Sequence, residues 1–333
     1  MNPKLILVTG ATGRQGRALI NTLGLTAPSH ADSEPDFHIL ALTRKTSSPA
    51  AISLASYSHV SVIEGNLDSA TSLRKIFEDA KSQGGIWGVF CVLAFPGLGA
   101  NADHEESQGK VLADLALEFS VSAFIFSSVE RGGERDDNKA TLDRLAKARI
   151  EHHIRDLGVR AFSVQVFFME NFEGTIGAIA ASILKVGLKP TTTIQVVAVE
   201  DIGHVAAGVF KNPEIFHQQI LCLVGERCTM KQQEESYKRA TGRSMPMAPV
   251  FVARLLILIN GPTKGLIGDL ERVHKIQEEG AAPDHAAQVA AAKKAYPALQ
   301  DFESWARSRR QGQSRWQRGW NNVSLMNLVF RKQ

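Results

Sequence analysis

Short apolar runs alternate with longer amphipathic stretches through the first half of this chain. Continuous apolar runs are typical of strands buried on both faces, and apolar residues three or four apart indicate helices. The predicted strands are a run ending at residue 8 and residues 37–42, 60–63, 86–93, 123–126 and 161–166. The predicted helices are one directly after residue 16 and residues 69–81, 105–119 and 138–156. This alternation favours right-handed βαβ units and a parallel sheet.

The alternation loosens in the second half. The elements predicted there are a helix over 174–186, a strand over 193–199, a helix over 201–210, a strand over 220–223 and helical structure over 245–307. We therefore predict an α/β fold, a Rossmann-type doubly wound parallel sheet with a smaller, mostly helical C-terminal lobe. The predicted division is a Rossmann domain over 1–166, a substrate or partner lobe over 167–306 whose strands return to the main sheet, and a weakly ordered basic tail over 307–333.

A glycine-rich turn separates the first strand from the first helix. Gly10, Gly13 and Gly16 are evenly spaced, and Ala18 opens an apolar-periodic stretch directly after them. In this order the first glycine permits a tight turn and the second lets the backbone approach a pyrophosphate. The third lets helix and strand pack closely. The helix N-terminus adds N–H groups and a partial positive charge, so the turn predicts a dinucleotide site.

The end of the second strand indicates which dinucleotide is bound. In NAD-binding folds a carboxylate there takes the ribose 2′-hydroxyl, whereas an Arg accommodates the 2′-phosphate of NADP. This strand ends in Thr43, Arg44 and Lys45, two cations without a carboxylate. A guanidinium can hold a phosphate through two hydrogen bonds. NADP(H) is therefore the predicted cofactor, and a solvated basic turn is the alternative.

Composition narrows the class of protein. With 333 residues, 44% of them hydrophobic, and a net charge of +4, the chain is typical of globular proteins and not of nucleic-acid binders. Its three cysteines do not have the spacing of a zinc site, so we predict no metal site. So few cysteines also indicate a reducing compartment, either the cytoplasm alone or the cytoplasm and the nucleus. The apolar runs are too short for a signal peptide or membrane span.

The tail, with Trp316 and Trp320, is interpreted as a solvated extension or docked arm rather than a nucleic-acid-binding segment.

The usual proton relay of carbonyl reductases is absent. Such enzymes place a Lys four residues after a Tyr, but Tyr57, Tyr237 and Tyr296 are followed there by Ser, Thr and Gln. Lys147, on the helix after the fifth strand, is the candidate that remains. It has two interpretations, either part of a solvated cationic helix face or an ammonium placed on the nicotinamide ribose or a substrate oxygen.

Several segments together resemble the NmrA-like proteins, an atypical branch of the short-chain dehydrogenase/reductases with isoflavone-reductase-like relatives. They are Thr9–Gly16, Leu42–Arg44, Gly65–Asp68, Gln108–Lys110, Phe126–Val129, Lys147–Glu151, Phe167–Asn171 and Val199–Gly203. The resemblance spans roughly residues 4–306. Two positions depart from it: Asn66 stands where related sequences usually carry Asp, and Val164-Gln165 replace the Arg-Pro that usually precedes the Phe-Phe-Met-Glu-Asn corner.

The resemblance implies roles for individual residues. The implied pyrophosphate contacts come from the first turn, namely Gly10, Ala11, Thr12, Gly13, Arg14, Gln15 and Gly16. The implied contacts to the 2′-phosphate come from Arg44 with Lys45, and those to the adenine from Asn66 and Leu67. The implied contacts to the nicotinamide ribose and ring come from Lys147, Phe168, Met169, Glu170 and Asn171.

Two classes of function follow from the resemblance. The first is an NADPH-dependent oxidoreductase that reduces a small hydrophobic metabolite, with Lys147 as the polar catalytic group. The second is a non-catalytic NADP(H) redox sensor that regulates a protein partner such as a transcription factor. The retained Lys147 favours the enzyme and the missing Tyr favours the sensor, and we expect the enzyme. The expected state is a monomer or homodimer without direct nucleic-acid or membrane binding.

Overall fold

The centre of the protein is a seven-stranded parallel sheet. The computed structural model describes residues 3–25, 36–134, 137, 142–158, 161–165 and 167–310. Seven strands form this sheet: β1 Lys4–Val8, β2 Phe37–Thr43, β3 Val60–Glu64, β4 Ile86–Cys91, β5 Ala123–Ser128, β6 Ala161–Gln165 and β8 Ile220–Cys222. Their spatial order is β3-β2-β1-β4-β5-β6-β8, and every neighbouring pair is parallel. The order reverses between β1 and β4, which confirms the predicted doubly wound, Rossmann-type fold.

Helices connect and flank the strands. They are α1 Arg14–Leu25, α2 Pro49–Ala55, α3 Ala70–Ala80, α4 Asp103–Glu118, α5 Leu142–Asp156, α6 Gly174–Gly187, α7 Val199–Lys211, α8 Pro213–Phe216, α9 Met230–Thr241, α10 Val250–Ile259, α11 Gly261–Glu278, α12 His285–Ala295 and α13 Phe302–Arg310. Two further strands, β7 Thr193–Val196 and β9 Glu226–Thr229, pair antiparallel outside the main sheet.

Apolar side chains cover both faces of the sheet. On one face, α1 and α7 contribute buried residues such as Leu19 and Ile202. On the other face, α3 and α4 contribute Phe77 and Leu112. Where α7 crosses α1, a Cβ on Gly203 would lie 2.4 Å from the carbonyl carbon of Ala18, so only glycine permits this approach. The double cover explains why the strands are continuous apolar runs.

The C-terminal part is largely helical and has its own core. Leu184 of α6, Ala240 of α9 and Trp305 of α13 are all buried in it. In the region predicted as helical over 245–307 the structure has four helices, α10, α11, α12 and α13. Asn260 separates the first two, because it ends α10 and its side chain accepts a hydrogen bond from the backbone N–H of Thr263 in α11. The mostly helical C-terminal lobe is thus as predicted.

Four of these helices and strands were not predicted from the sequence pattern, and one of them is the short helix α8. Helix α2 is short, and its start depends on Ser48 as N-cap and Pro49 in the first turn. Helix α9 is polar and begins in a capping box of Thr229 and Gln232, so apolar periodicity does not reveal it. Strand β9, which directly precedes α9, is the fourth.

Some sequence predictions differ in their limits from the structure. The strand predicted over 193–199 ends at Val196, and α7 already begins at Val199. Some predictions fall on residues outside the described ones. These are residues 138–141 of the helix predicted after the fifth strand, residue 166 of the predicted sixth strand, and residues 311–333 of the predicted tail.

Helix α10 exposes an apolar face to solvent. Within the described part of the chain, no single helix is long and apolar enough to cross a membrane. Helices α10 and α11 meet that length and composition test only as a pair, and they are bent by 99° at the break between them. The most exposed apolar residues of α10 are Phe251 at 71% and Leu258 at 70%.

Candidate nucleotide and active site

Backbone contacts shape the glycine turn between β1 and α1. Gly10 has a φ of +59°, and the N–H of Gly13 donates to its carbonyl at 2.8 Å. A Cβ on Gly16 would lie 2.5 Å from that same carbonyl oxygen, whereas one on Gly13 would meet only this oxygen, at 3.1 Å. The turn therefore requires glycine at both ends, and its middle glycine presents bare backbone beside the start of α1. This is the shape and polarity that a pyrophosphate needs.

The turn is anchored to the neighbouring strand. The hydroxyl of Thr9 donates to the carbonyl of Val92 at 2.8 Å, and the N–H of Val92 donates back to that hydroxyl at 2.8 Å. Ala11 is fully buried and packs in the core beneath the turn, while Thr12 is half-buried. The conformation of the turn is thus set by β4 as well as by its own glycines.

Two side chains of the turn reach across the edge of the sheet. Arg14 forms an ion pair with Glu173 at 2.8 Å. The hydroxyl of Ser127, near the end of β5, donates to the side-chain oxygen of Gln15 at 2.7 Å. Arg14 and Gln15 therefore connect the predicted phosphate turn to the segment that follows β6 and to the end of β5.

The ends of β2 and β3 carry the residues predicted to hold the 2′-phosphate and adenine. Arg44, Lys45 and Asn66 are exposed, and Leu67 is half-buried. Thr43 pairs in register with Glu64, so β2 and β3 end side by side. The structure thus brings the predicted adenosine contacts to one edge, next to the glycine turn, with charged and polar groups open to solvent.

Lys147 lies on α5 and is largely buried. Its ammonium forms an ion pair with Glu105, and the exposed fractions of the two side chains are 12% and 2%. It also lies 5.7 Å from the ring centre of Phe126. Glu105 is in the first turn of α4, which follows the loop after β4. The pair therefore excludes the interpretation of Lys147 as part of a solvated cationic face.

Sequence reasoning missed Glu105 as the partner of Lys147. The two residues are 42 positions apart, and nothing in the local pattern around Glu105 distinguishes it from other acidic residues in a first helical turn. Acidic residues are common there because they interact favourably with the helix dipole.

The corner after β6 turns its predicted contact residues in different directions. Phe168 bridges to Val197, and the side chain of Met169 is fully buried in the C-terminal core. Glu170 is also buried, whereas Phe168 and Asn171 are half-buried. Phe168 and Asn171 are therefore the side chains of the corner that remain accessible to a ligand.

Glu170 is surrounded by protein partners. Its carboxylate accepts from the N–H of Val199 at 3.1 Å, the indole N–H of Trp305 at 2.9 Å and the guanidinium of Arg309 at 2.6 Å. Burial, together with repulsion from Glu200, raises the pKa of Glu170 to about 7. The side chain thus joins the start of α7 to α13, and a nucleotide contact from this residue would come from its backbone.

Comparison with known proteins identifies the relatives of this chain. The sequence model of the NmrA-like family matches residues 2–306 of this chain. The NmrA-like family domain-containing oxidoreductase ptmS of Penicillium ochrochloron is 25% identical over 277 residues, which cover 74% of this chain and 76% of that protein. The oxidoreductase hkm9 of Aspergillus hancockii, described in the same words, is 30% identical over 178 residues, 51% of this chain and 48% of that protein.

Solved structures show the same fold. The crystal structure of NmrA, a negative transcriptional regulator, in complex with NADP has a TM-score of 0.66 at 19% identity and covers 94% of this chain and 97% of that one. The same regulator in complex with NAD gives a TM-score of 0.65 at 19% identity, with 94% and 97% covered. At this identity the likeness shows a shared fold.

Proposed function

The chain belongs to the NmrA-like family, and we propose that it is an NADP(H)-dependent oxidoreductase that reduces a small hydrophobic metabolite. The observation that carries the proposal is the Lys147–Glu105 ion pair. This buried ammonium lies at the same edge of the sheet as the glycine turn. It is therefore positioned for chemistry rather than for solubility. The curated relatives named as oxidoreductases support it.

The residues of the turn fit a dinucleotide phosphate. The bare backbone at Gly13 lets a phosphate approach the N–H groups at the start of α1, and the exposed Arg44 provides a cation beyond the end of β2. We propose that Arg44 and Lys45 select NADP(H) over NAD(H), with Asn66 and Leu67 against the adenine. Bound NADPH would supply the hydride.

Lys147 is proposed as the proton donor. Its ammonium would donate a hydrogen bond, and then its proton, to the substrate oxygen on which negative charge develops. Glu105 keeps that ammonium in place through their buried ion pair. The pair would thus replace the missing Tyr, with Glu105 as a positioning residue.

The test is anaerobic titration with NADPH followed by a screen of carbonyl and enone substrates for NADPH oxidation. With a substrate found, Lys147→Met should lower turnover by about 10²–10⁴-fold, as for loss of a positioned proton donor. NADPH affinity should change much less. Arg149→Met is the matched control, since Arg149 lies on the same helix but is half-exposed and pairs with Glu106.

The oxidoreductase proposal would be contradicted if the parent protein binds NADPH but oxidises it with none of the carbonyl or enone substrates. Full turnover in Lys147→Met would contradict the role of Lys147 as proton donor.

A chain of ion pairs supports a second candidate, an NADP(H) sensor that regulates a protein partner. Arg14 in the glycine turn pairs with Glu173, which pairs with Arg309 of α13 at 3.1 Å. Nucleotide binding at the turn could thereby alter α13, which directly precedes residues 311–333. The solved structures of a negative transcriptional regulator with this fold support it too. Limited proteolysis with and without NADPH tests it, and an unchanged cleavage pattern at residues 96–101 and 168–171 would contradict it.

A further inference from the structure

Four side chains with metal-binding atoms meet at the far end of the sheet, away from the glycine turn. Glu130 follows β5, Cys222 ends β8, His285 begins α12 and Gln195 lies in β7. The carboxylate, thiol and imidazole atoms of Glu130, Cys222 and His285 all lie within 4.8 Å of one another. None of these groups is used in the proposed oxidoreductase function.

The distances around Cys222 match those of a tetrahedral metal site. Its Sγ lies 3.6 Å from Nε2 of His285 and 3.6 Å from the side-chain oxygen of Gln195. A tetrahedral zinc ion with Zn–S of about 2.3 Å and Zn–N or Zn–O of about 2.0–2.2 Å separates the sulfur from such donors by roughly 3.5–3.7 Å. It separates two nitrogen or oxygen donors by roughly 3.3–3.6 Å. The Gln195 oxygen and His285 Nε2 are 3.2 Å apart, close to the second of these ranges.

Glu130 completes the donor set and is held in place. Its Oε2 accepts from the Cys222 thiol at 3.0 Å, while its Oε1 accepts from the N–H of Gly132 at 2.6 Å. The distance from Oε2 to the thiol sulfur is shorter than that between two ligands of a tetrahedral metal ion, because a hydrogen bond joins the two atoms. A bound metal ion would replace that hydrogen bond. The second contact orients the carboxylate in the manner of the outer-shell bonds around known metal ligands.

The electrostatics distinguish this cluster from the neighbouring buried ion pairs. Arg131, the next residue, is surrounded by Asp137 and Glu151, so that cluster contains its own cation. Among the described residues, the groups paired with the Cys222 thiol are a carboxylate, an amide and an imidazole. A divalent cation would supply positive charge to this cluster and would bind the Cys222 sulfur as a thiolate.

We propose that Cys222, His285 and Glu130 bind one divalent transition-metal ion of the zinc class, with the amide oxygen of Gln195 at the fourth position. Binding replaces the S–H bond of Cys222 by a sulfur–metal bond, and the proton leaves to solvent. Cys222 is buried, whereas Glu130, His285 and Gln195 are half-buried, which gives the ion a route to the thiol. This proposal is independent of the proposed oxidoreductase function.

The experiment is titration of the reduced, metal-free full chain with Zn²⁺ and, separately, Co²⁺. We expect one ion per chain, release of a proton on binding, and a thiolate-to-cobalt charge-transfer band. Cys222→Ser should abolish that band, and His285→Ala should weaken Zn²⁺ binding at least about 100-fold. Gln195→Ala should weaken it less than His285→Ala does, because a neutral amide oxygen is a weaker zinc ligand than an imidazole.

Two matched controls make the result specific. Cys228→Ser changes a different buried cysteine, and His217→Ala changes an exposed histidine, so neither should alter binding. If Cys222→Ser does not fold, the half-buried His285 still decides. Absence of stoichiometric binding, or binding that survives His285→Ala without loss of affinity, would overturn the proposal.

Discussion

The two halves of the sheet's carboxyl edge are constructed differently. The β1–β3 edge, formed by the residues after β1, β2 and β3, depends on backbone shape, and its cation Arg44 is exposed. The β4–β8 edge, formed by the residues after β4, β5, β6 and β8, depends on buried side-chain pairs. There Lys147 meets Glu105, and Arg309 meets Glu170.

The difference lies in the sequence range of the contacts. The hydrogen bond that closes the glycine turn joins Gly13 to Gly10. The pair of Lys147 with Glu105 spans 42 positions, and that of Arg309 with Glu170 spans 139. Changes at the β1–β3 edge should therefore alter nucleotide affinity with little loss of stability. Changes at the β4–β8 edge should alter stability and chemistry together.

The largest effect is expected from Arg309→Met at the β4–β8 edge. It leaves the buried Glu170 without its cation, and removing one partner of a buried pair typically costs about 3–5 kcal/mol. Denaturant unfolding at pH 8 measures this loss. Arg307→Met is the control, because Arg307 pairs with Glu303 at the surface and its loss should cost at most about 1 kcal/mol. Equal losses in the two variants would contradict the contrast between buried and exposed pairs.

The raised pKa of Glu170 predicts a pH effect on stability. Because burial raises this pKa from its ordinary 4.5 to about 7, the folded protein binds the proton more tightly than the unfolded chain. The contribution of Glu170 to the free energy of unfolding therefore decreases as pH rises from 4.5 to 7 and is constant outside that range. At about 1.4 kcal/mol per pKa unit, the decrease is on the order of 3 kcal/mol.

Glu170→Gln isolates this pH effect, because the amide cannot ionise. The free energy of unfolding of the parent minus that of the variant should decrease across the same pH range. Parallel pH profiles for the two proteins would show that Glu170 does not titrate there.

The smallest effect is expected at the β1–β3 edge. If Arg44 holds the 2′-phosphate, Arg44→Ala should weaken NADP binding by about 1.5–3 kcal/mol, the magnitude for a hydrogen bond to a charged group. NAD binding and the thermal midpoint should be unchanged, because the Arg44 side chain is exposed. Calorimetric titration with both nucleotides measures it, with Lys75→Ala on α3 as the surface control. Equal losses for NADP and NAD would contradict the assignment.

Sequence patterns predicted those elements that are marked by an apolar run, an apolar period or a glycine spacing. The alternation of apolar runs and helices led to the Rossmann-type sheet, and the spacing of Gly10, Gly13 and Gly16 located the turn after β1. Helix α9 escaped prediction because its start is specified by the polar capping box of Thr229 and Gln232 rather than by an apolar face. The roles assigned to Arg44, Lys147 and the corner residues stay predictions.

The sequence by itself determined the fold class, because apolar periodicity and glycine spacing act over a few residues. It indicated the family through the resemblance of several short segments to the NmrA-like proteins. Only the tertiary structure decided that Lys147 is paired with Glu105 and that the Glu170 carboxylate faces inward. It alone brought Cys222 to Glu130, 92 positions away, and to His285, 63 positions away. The physical reason is that parallel strands place their carboxyl ends at one edge whatever their distance along the chain, so contacts made there leave no local pattern.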